Sequence, residues 1–562
     1  MSSEPNSLLD EFLEEIDPVI FGSGVVVAVA FIVAYALSPT VTVDGSQVNQ
    51  LGKIITDLNN WLWTNFSWFY LWAMLIFVAF TTFLIFGPWG KIRLGGEDTE
   101  PDHSFLTYFA MFFSAGIAAG IVFWGPAEAI YHFGNGTPLT GSGASAKAKM
   151  VGSLQYTFFH WGISAWSAYL IVGVPIAYFA YNKGAPFRFS TVLAPFIGVD
   201  DLEDSKWATL VDVVAVFGTM GGIATSLGFI GQQLLAGMEY QFGVAFGDLG
   251  TILTITGVTV LFTLSVVSGV DRGIKRLSQV NVLVFLVLGV VVFLVGFPSF
   301  VLNLGTQAVG DYLQGFVGMS LFTGVGSGDA SFVGAWTVFY WAWWFSWAPF
   351  SGIFLAKISK GRTIREVTFV GVIATTLATV PWFMIVGGTS MRLQNSGGAD
   401  ILGAINEFGI AVSGYPLFGA LPFGEVLSAL FFLLVITFFV TSADSSTLGL
   451  AMLTTGGEED PSKLNRLTWG VLQGLIASIL VVIGGTNALQ QAAIITGGPV
   501  AVVGLVAVYG MAKEFSDAHG RVLVQEGGDV RGDDMLIGSR SGPTGDAAAS
   551  DAAGPTEPSE DD

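Results

Sequence analysis

Two stretches of the chain hold aromatic side chains at a spacing that could bind a cation. One runs His160-Trp161-Gly162-Ile163-Ser164-Ala165-Trp166-Ser167-Ala168-Tyr169, the other from Trp336 to Phe350 as WTVFYWAWWFSWAPF. Trp166 and Tyr169 are three residues apart and so share one helix face. Trp161 lies about 140° from Trp166 at the rotation of an ideal helix, and a distortion at Gly162 would bring it closer. The aromatic belt at a bilayer surface explains tryptophans at span ends. It does not explain five between Trp336 and Trp347. Facing rings attract a quaternary ammonium, by about 0.5–2 kcal/mol each when desolvated. Neither segment contains an acid, which suits a solute whose cation is balanced by its own carboxylate. Aromatic packing in a wide bundle is the plainer alternative.

A second set offers oxygen. Thr441-Ser442-Ala443-Asp444-Ser445-Ser446-Thr447 follows an apolar run. Hydroxyls there, with carbonyls one turn earlier, are hard ligands of the kind sodium takes; interhelical hydrogen bonding would use the same residues. Asp444 could instead cap a half-helix. Asp212, Glu128 and Glu425 are weaker candidates, and His160 reads as a satisfied polar residue. Gly116-Ile117-Ala118-Ala119-Gly120, followed by Gly125-Pro126, weakens a helix. Such breaks expose backbone dipoles to a solute or ion, or simply let helices pack closely.

The elements that must hold these residues are apolar. The 562 residues are 52% hydrophobic and 12% charged, with sixteen tryptophans and no cysteine; that charge is about half the usual share. Mean hydropathy is +0.66. These values exclude a soluble enzyme, a disulfide scaffold and a cysteine-ligated metal site. A net charge of −21 argues against nucleic acid as a partner. Twelve segments are long enough to span a bilayer as helices, near 18–38, 61–86, 104–132, 150–182, 207–237, 252–270, 278–302, 332–358, 363–386, 421–454, 467–485 and 489–512. With the N-terminus inside, the inner loops carry fourteen lysines and arginines and the outer loops four, which supports twelve crossings and cytoplasmic termini. The acidic start lacks the basic region of a signal peptide. Residues 1–17 form an acidic N-terminal segment, 18–512 the membrane domain, and 513–562 an acidic tail expected to be disordered. Such acidity suits a halophilic origin. No loop gathers a nucleophile, base and orienter, so an enzyme is not expected.

At these motifs the chain resembles the betaine/choline/carnitine transporter family, over nearly all of residues 15–515. The segment WTVFYWAWWFSWAPFSGIFLAKISKGRTIREV carries the likeness, with HWGISAWSAY and FFVTSADSST. The resemblance implies an all-α membrane protein of twelve transmembrane helices. Helices 3–7 and 8–12 would form a LeuT-like 5+5 inverted repeat, preceded by two extra helices. It implies an aromatic box of Trp161, Trp166, Tyr169 and Trp344, with Trp343 nearby and Trp347 on the inner pathway. The solute carboxylate would meet an unwound span 3 around Gly116 and Gly120. One sodium would sit between carbonyls near Ser114 and Ile117 and span 10 at Phe438, Thr441 and Ser442. A second would use Thr225 and Ser226 with Phe350. The implied function is sodium-coupled import of a quaternary-ammonium solute such as glycine betaine by alternating access, in the cell membrane, within a homotrimer. The alternatives are a sodium-independent exchanger, a proton symporter for choline or carnitine, and a sodium-coupled amino-acid carrier. Exchangers of the family replace sodium with an arginine in span 5 and a methionine in span 8. Here span 5 contains no arginine, and Gly352 is taken as the methionine position. Span 3 departs from the family's Gly-Met-Gly-Ile-Gly, and the acidic tail departs from the basic sensing helix of family osmosensors.

Overall fold

The computed structural model describes residues 7–43, 45–141, 143–267, 271–458 and 460–519; side chains of residues 114–119, 262, 265–267, 271–278, 445 and 519 lie outside that description. The described residues are predominantly helical. Helix α1 spans Leu8–Glu15 and α2 spans Pro18–Leu37. A small hairpin, β1 Thr40–Val43 and β2 Ser46–Asn49, pairs antiparallel with Val41 opposite Val48. Next come α3 Gln50–Phe86, α4 Phe105–Asn135, α5 Ala146–Trp161, α6 Ile163–Lys183 and α7 Lys206–Phe242. They are followed by α8 Asp248–Val267, α9 Asp271–Val295, α10 Pro298–Ser320 and α11 Phe339–Ile358. The chain then forms α12 Ile364–Ser396, α13 Ile401–Phe408, α14 Gly414–Gly419, α15 Gly424–Thr454 and α16 Lys463–His519.

Local signals set several boundaries. Asp17 accepts from the Val19 and Ile20 amides at the start of α2, with Pro18 in the first turn. Thr363 and Glu366 close a reciprocal capping box on α12. Gly184 and Gly243 end α6 and α7 in left-handed conformations.

Seven helices among the described residues are long and apolar enough to cross a bilayer, or eight if a bent pair counts as one. That pair is Gln279–Val295 with Pro298–Ser320, bent by 107°. Similar hydropathy is used in different ways. The most apolar window of α2 is 17% buried, that of the α5–α6 pair 89%. Helix α2 therefore presents its surface outward, while α5 and α6 form the interior. Large apolar side chains such as Val26, Leu253, Leu261, Leu286 and Leu294 are exposed on the outside, where a bilayer would cover them. Helix α11 packs along α6, and α16 along α7.

The expected weakness in span 3 resolves differently. Helix α4 runs unbroken through Gly116–Gly120 and Pro126, so the unwinding expected there is not seen. A proline frees the carbonyl four residues before it, here Val122. Gln233 Nε2 of α7 donates to that carbonyl at 3.3 Å, and Trp382 Nε1 of α12 donates to the neighbouring Ile121 carbonyl at 3.0 Å. Neighbouring side chains thus satisfy the freed backbone, as an apolar surrounding requires.

Besides the bend between Val295 and Pro298, which interrupts the expected span 278–302, two breaks occur elsewhere. Gly162 has φ −92° and ψ −132° and separates α5 from α6, which matches the expected distortion. Gly484 and Gly485 interrupt α16, with Gly485 at φ 56°, a region that favours glycine. Helix α16 continues past the expected boundary at 512 to His519, and residues 520–562 of the expected tail lie outside the described residues. Part of the acidic N-terminal segment also forms α1, whose Glu15 accepts from the Ser462 amide and hydroxyl.

A Cβ at Gly125 would stand 2.1 Å from Trp382 Nε1. Gly125→Val is therefore expected to push Trp382 off the Ile121 carbonyl and to destabilise the fold by about 1–3 kcal/mol. A melting curve of the detergent-purified variant checks this; an unchanged midpoint would contradict it.

Candidate functional site

The break at Gly162 decides which way the first aromatic segment faces. A Cβ there would meet the Phe158 carbonyl at 2.6 Å and the Tyr312 hydroxyl at 3.0 Å, so the position has no room for a side chain. Just before the break, Trp161 at the end of α5 joins the rings of α6 and α11. Trp161 and Trp344 meet edge to face at 5.0 Å between centroids, Trp344 and Tyr169 at 6.2 Å, and Tyr169 and Trp166 at 6.0 Å. All four are buried. Trp343 stacks on Trp344 at 5.1 Å and meets Trp161 at 6.0 Å. The structure therefore brings together Trp161, Trp166, Tyr169, Trp343 and Trp344 as one aromatic cluster. Gly120 of α4 lies beneath it, since a Cβ there would meet Trp343 at 2.7 Å and Trp161 at 2.9 Å. Just before α11, residues Val333–Val338 wind in a wider turn, a distortion common near functional sites.

Neither aromatic segment carries an acid of its own, and α4 supplies one. Glu128 is wholly buried. One of its oxygens accepts from Trp161 Nε1 at 2.7 Å and from the Tyr340 hydroxyl; the other lies 2.6 Å from His160 Nδ1. His132 Nε2 stands 3.4 Å from the same carboxylate. His160 Nε2 is 3.2 Å from Thr337 Oγ1, and the His160 carbonyl accepts from Trp344 Nε1 at 3.0 Å. His160 is thus the satisfied polar residue that was expected. Glu128 was visible in the sequence as a lone acid, but its partners come from two other helices.

The second set of candidates is less gathered. Trp347 donates to Ser226 Oγ at 3.1 Å and packs against Phe350 at 6.2 Å, so Trp347 links Ser226 to Phe350. Thr225 donates to the Gly221 and Leu489 carbonyls, both at 2.8 Å. On α15, Thr441 Oγ1 lies 3.3 Å from the carbonyls of Thr437 and Phe438 and accepts from Asn281 Nδ2 at 3.2 Å. Ser442 Oγ is buried without a hydrogen-bond partner among the described residues. An orphaned hydroxyl next to Thr441 fits an oxygen-ligand role. Ser114, Gly116 and Ile117 fall where side chains are outside the description. The segment that holds them is helical, so most of its carbonyls are committed to the helix ladder.

Several acids prove to be anchors. Asp444 accepts from Arg466 Nη2 at 2.6 Å. Asp212 accepts from Arg188 at 2.8 and 3.1 Å and from the Ser190 amide and hydroxyl, each at 2.8 Å. Glu425 sits in the first turn of α15. Gly352 packs closely against α6: a Cβ there would stand 2.5 Å from Val172 Cγ1 and 3.0 Å from the Gly173 amide.

A helical membrane fold around a buried aromatic cluster is the architecture of a small-solute carrier. Residues 19–520 match the profile of the BCCT, betaine/carnitine/choline family transporter, and the chain belongs to that family. It is 39% identical over 473 residues to a probable glycine betaine transporter of Desulfitobacterium hafniense (strain Y51), covering 84% of this chain and 93% of the relative. It is 40% identical to the glycine betaine transporter OpuD of Bacillus subtilis (strain 168), over 80% of this chain and 87% of the relative. An ectoine/hydroxyectoine transporter of Virgibacillus pantothenticus is 37% identical, over 87% and 96%. Family and relatives are transporters and not enzymes.

Breaking a buried pair by removing one partner leaves an uncompensated charge. Arg188→Ala is therefore expected to cost about 3 kcal/mol of stability, and the double variant Arg188→Gln/Asp212→Asn much less. Thermal unfolding of the two proteins in detergent distinguishes them; equal losses would mean that Asp212 is not held by Arg188.

Proposed function

We propose that this transporter imports a zwitterionic trimethylammonium solute such as glycine betaine, coupled to sodium, by alternating access. The observation that carries the reading is the convergence of Trp161 from α5, Trp166 and Tyr169 from α6, and Trp344 from the sequence-remote α11. Facing rings suit a diffuse methylated cation. The indole N–H of Trp166 is buried without a partner among the described residues, a donor suited to the solute's carboxylate. That assignment replaces the backbone of Gly116–Gly120, which is engaged in the helix. The glycine betaine named for two of the relatives points the same way.

Sodium is the proposed driving ion, taken by Thr441 and Ser442, with the carbonyl of Phe438 nearby. The orphaned Ser442 hydroxyl supports this. Each sodium charge that moves inward gains about 2.3 kcal/mol per 100 mV of membrane potential, enough for one or two ions to drive strong accumulation. Twelve crossings, two at the N-terminus followed by two inverted five-helix repeats, remain the proposed topology, with both termini cytoplasmic, in the cell membrane. The interruption at Gly484–Gly485 supports the count. The 57 residues of α16 would extend about 85 Å if straight, nearly three hydrocarbon thicknesses, so the break makes two crossings of one helix. A homotrimer and a halophilic origin, the latter suggested by the net charge of −21, complete the proposal.

Uptake of radiolabelled glycine betaine into proteoliposomes, with an inward sodium gradient and then with potassium in its place, tests the reading. Sodium-dependent accumulation supports it; uptake that ignores sodium and needs a counter-solute inside would make the chain an exchanger. Trp344→Leu is expected to weaken solute affinity at least tenfold in a properly folded protein, about 1.4 kcal/mol or more, and unchanged affinity would remove the box assignment. Thr441→Ala with Ser442→Ala is expected to shift the sodium dependence several-fold to higher concentration while solute binding at saturating sodium persists. An identical sodium curve would leave those hydroxyls with a packing role only.

A further inference from the structure

The most unusual group in the interior is a carboxylate that no coupling ion in the proposal above uses. Glu128 is fully buried on α4 and takes hydrogen bonds from α5 and from α11. Each bond ends on the aromatic cluster or on its support. Trp161 Nε1 is bound directly at 2.7 Å. Tyr340 is bound through its hydroxyl, and its ring stacks on His160 at 4.6 Å and lies 5.6 Å from Trp161. His160 is bound through Nδ1, and its own carbonyl holds Trp344 Nε1 at 3.0 Å. The indole N–H groups of the two facing tryptophans therefore lead back to the same carboxylate, one directly and one through one residue.

The three potential ligand atoms of Glu128, His132 and His160 lie within 4.8 Å of one another, a spacing that a cation could bridge. His132 has both ring nitrogens buried without a hydrogen-bond partner among the described residues, but the carboxylate itself is engaged elsewhere. Both carboxylate oxygens already accept short hydrogen bonds, and charge-assisted bonds of this kind are about twice as strong as neutral ones. The cluster is a clamp, and its natural object is ring orientation.

We propose that Glu128 is the positioning residue of the solute cage, fixing the Trp161 ring directly and the Trp344 ring through His160. An indole held by its edge N–H can rotate little about its side-chain torsions, so its face stays presented. A cage that must find its geometry on binding loses affinity to that ordering. Gly120 completes the arrangement from the same helix, since it is the surface on which Trp161 and Trp343 rest. Helix α4 thus sets the rings from below through Gly120 and at their edges through Glu128, two turns further on. This inference rests on the aromatic-cage reading of the site.

The test is a double-mutant cycle on the full-length, detergent-purified protein, read as the dissociation constant of radiolabelled glycine betaine by scintillation proximity. Glu128→Gln keeps the size and leaves one carbonyl acceptor for three donors; it is expected to weaken binding tenfold or more. Trp161→Phe keeps a ring and deletes the N–H. If Glu128 acts through that indole, adding Glu128→Gln to Trp161→Phe costs clearly less than Glu128→Gln costs alone, because interacting residues are non-additive. Losses that multiply independently overturn the proposal, as does unaltered binding by Glu128→Gln. A spectroscopic readout accompanies it. The indole 15N–1H resonance of Trp161, identified by its loss in Trp161→Phe, shifts in Glu128→Gln; an unmoved resonance overturns the clamp. Should Glu128→Gln fail to yield folded protein, Tyr340→Phe decides. It removes one donor and keeps the ring, and is expected to weaken binding two- to fivefold, with no change counting against the clamp. Trp344→Leu separates the two readings. If neither Trp344→Leu nor Trp161→Phe alters affinity, the cage itself is wrong. If both do and Glu128→Gln does not, only the clamp is.

Discussion

The burial of one carboxylate constrains the whole centre of this molecule. Taking an acid out of water costs several kcal/mol unless its oxygens are fully engaged. Glu128 is engaged by Trp161, His160 and Tyr340, which sit on two helices other than its own. Losing any one of those helices from its place would strand the acid. The interaction therefore fixes α4, α5 and α11 relative to one another, and those are helices that carry or support the aromatic cluster. Aromatic packing alone would not do this, because ring contacts are weakly directional and tolerate repacking.

A second constraint acts on the backbone. Where water is absent, every freed carbonyl needs a partner. Pro126 removes one ladder bond in the middle of α4, and Gln233 and Trp382 cover the carbonyls beside it. Gly125 must be small because Trp382 comes so close. The polar side chains that look isolated in the sequence of α7 and α12 are thus partners of a backbone defect on a third helix. That is why α4 stays helical through a glycine- and proline-bearing segment that reads as a break.

The same comparison shows what the sequence makes legible. Helical periodicity placed Trp166 and Tyr169 on one face, and a glycine after Trp161 announced the break that turns its ring toward Trp344. Those are local facts, carried by neighbours within one turn. The membrane class followed from composition. Glu128 was recognisable only as a rare intramembrane acid, because its partners lie 32, 33 and 212 residues away in the chain. Asp212 and Asp444 were likewise visible as acids, whereas their arginine partners declare themselves only when loops fold back. Gly352 shows the same limit from the other side: its lack of a side chain is legible in the sequence, whereas the close approach of α6 that uses it is not.

The buried acid also changes the reasoning about solute charge without reversing it. An aromatic site lacking acids suits a zwitterion, and here an acid lies behind the rings. Its lone pairs, however, are directed to N–H and O–H donors at the ring edges, away from any face. A primary ammonium binds by donating hydrogen bonds and would need acceptors that are already committed. A trimethylammonium group donates none and interacts with the faces alone. On the proposed cage reading the arrangement would discriminate by hydrogen-bonding capacity as well as by shape: a site whose acceptors are occupied gives a primary ammonium no replacement for the water bonds it must lose. On the proposed reading, that is the physical reason an amino-acid carrier of similar architecture would need a different centre, and why the tryptophans of this one are tied down by a group the solute never touches.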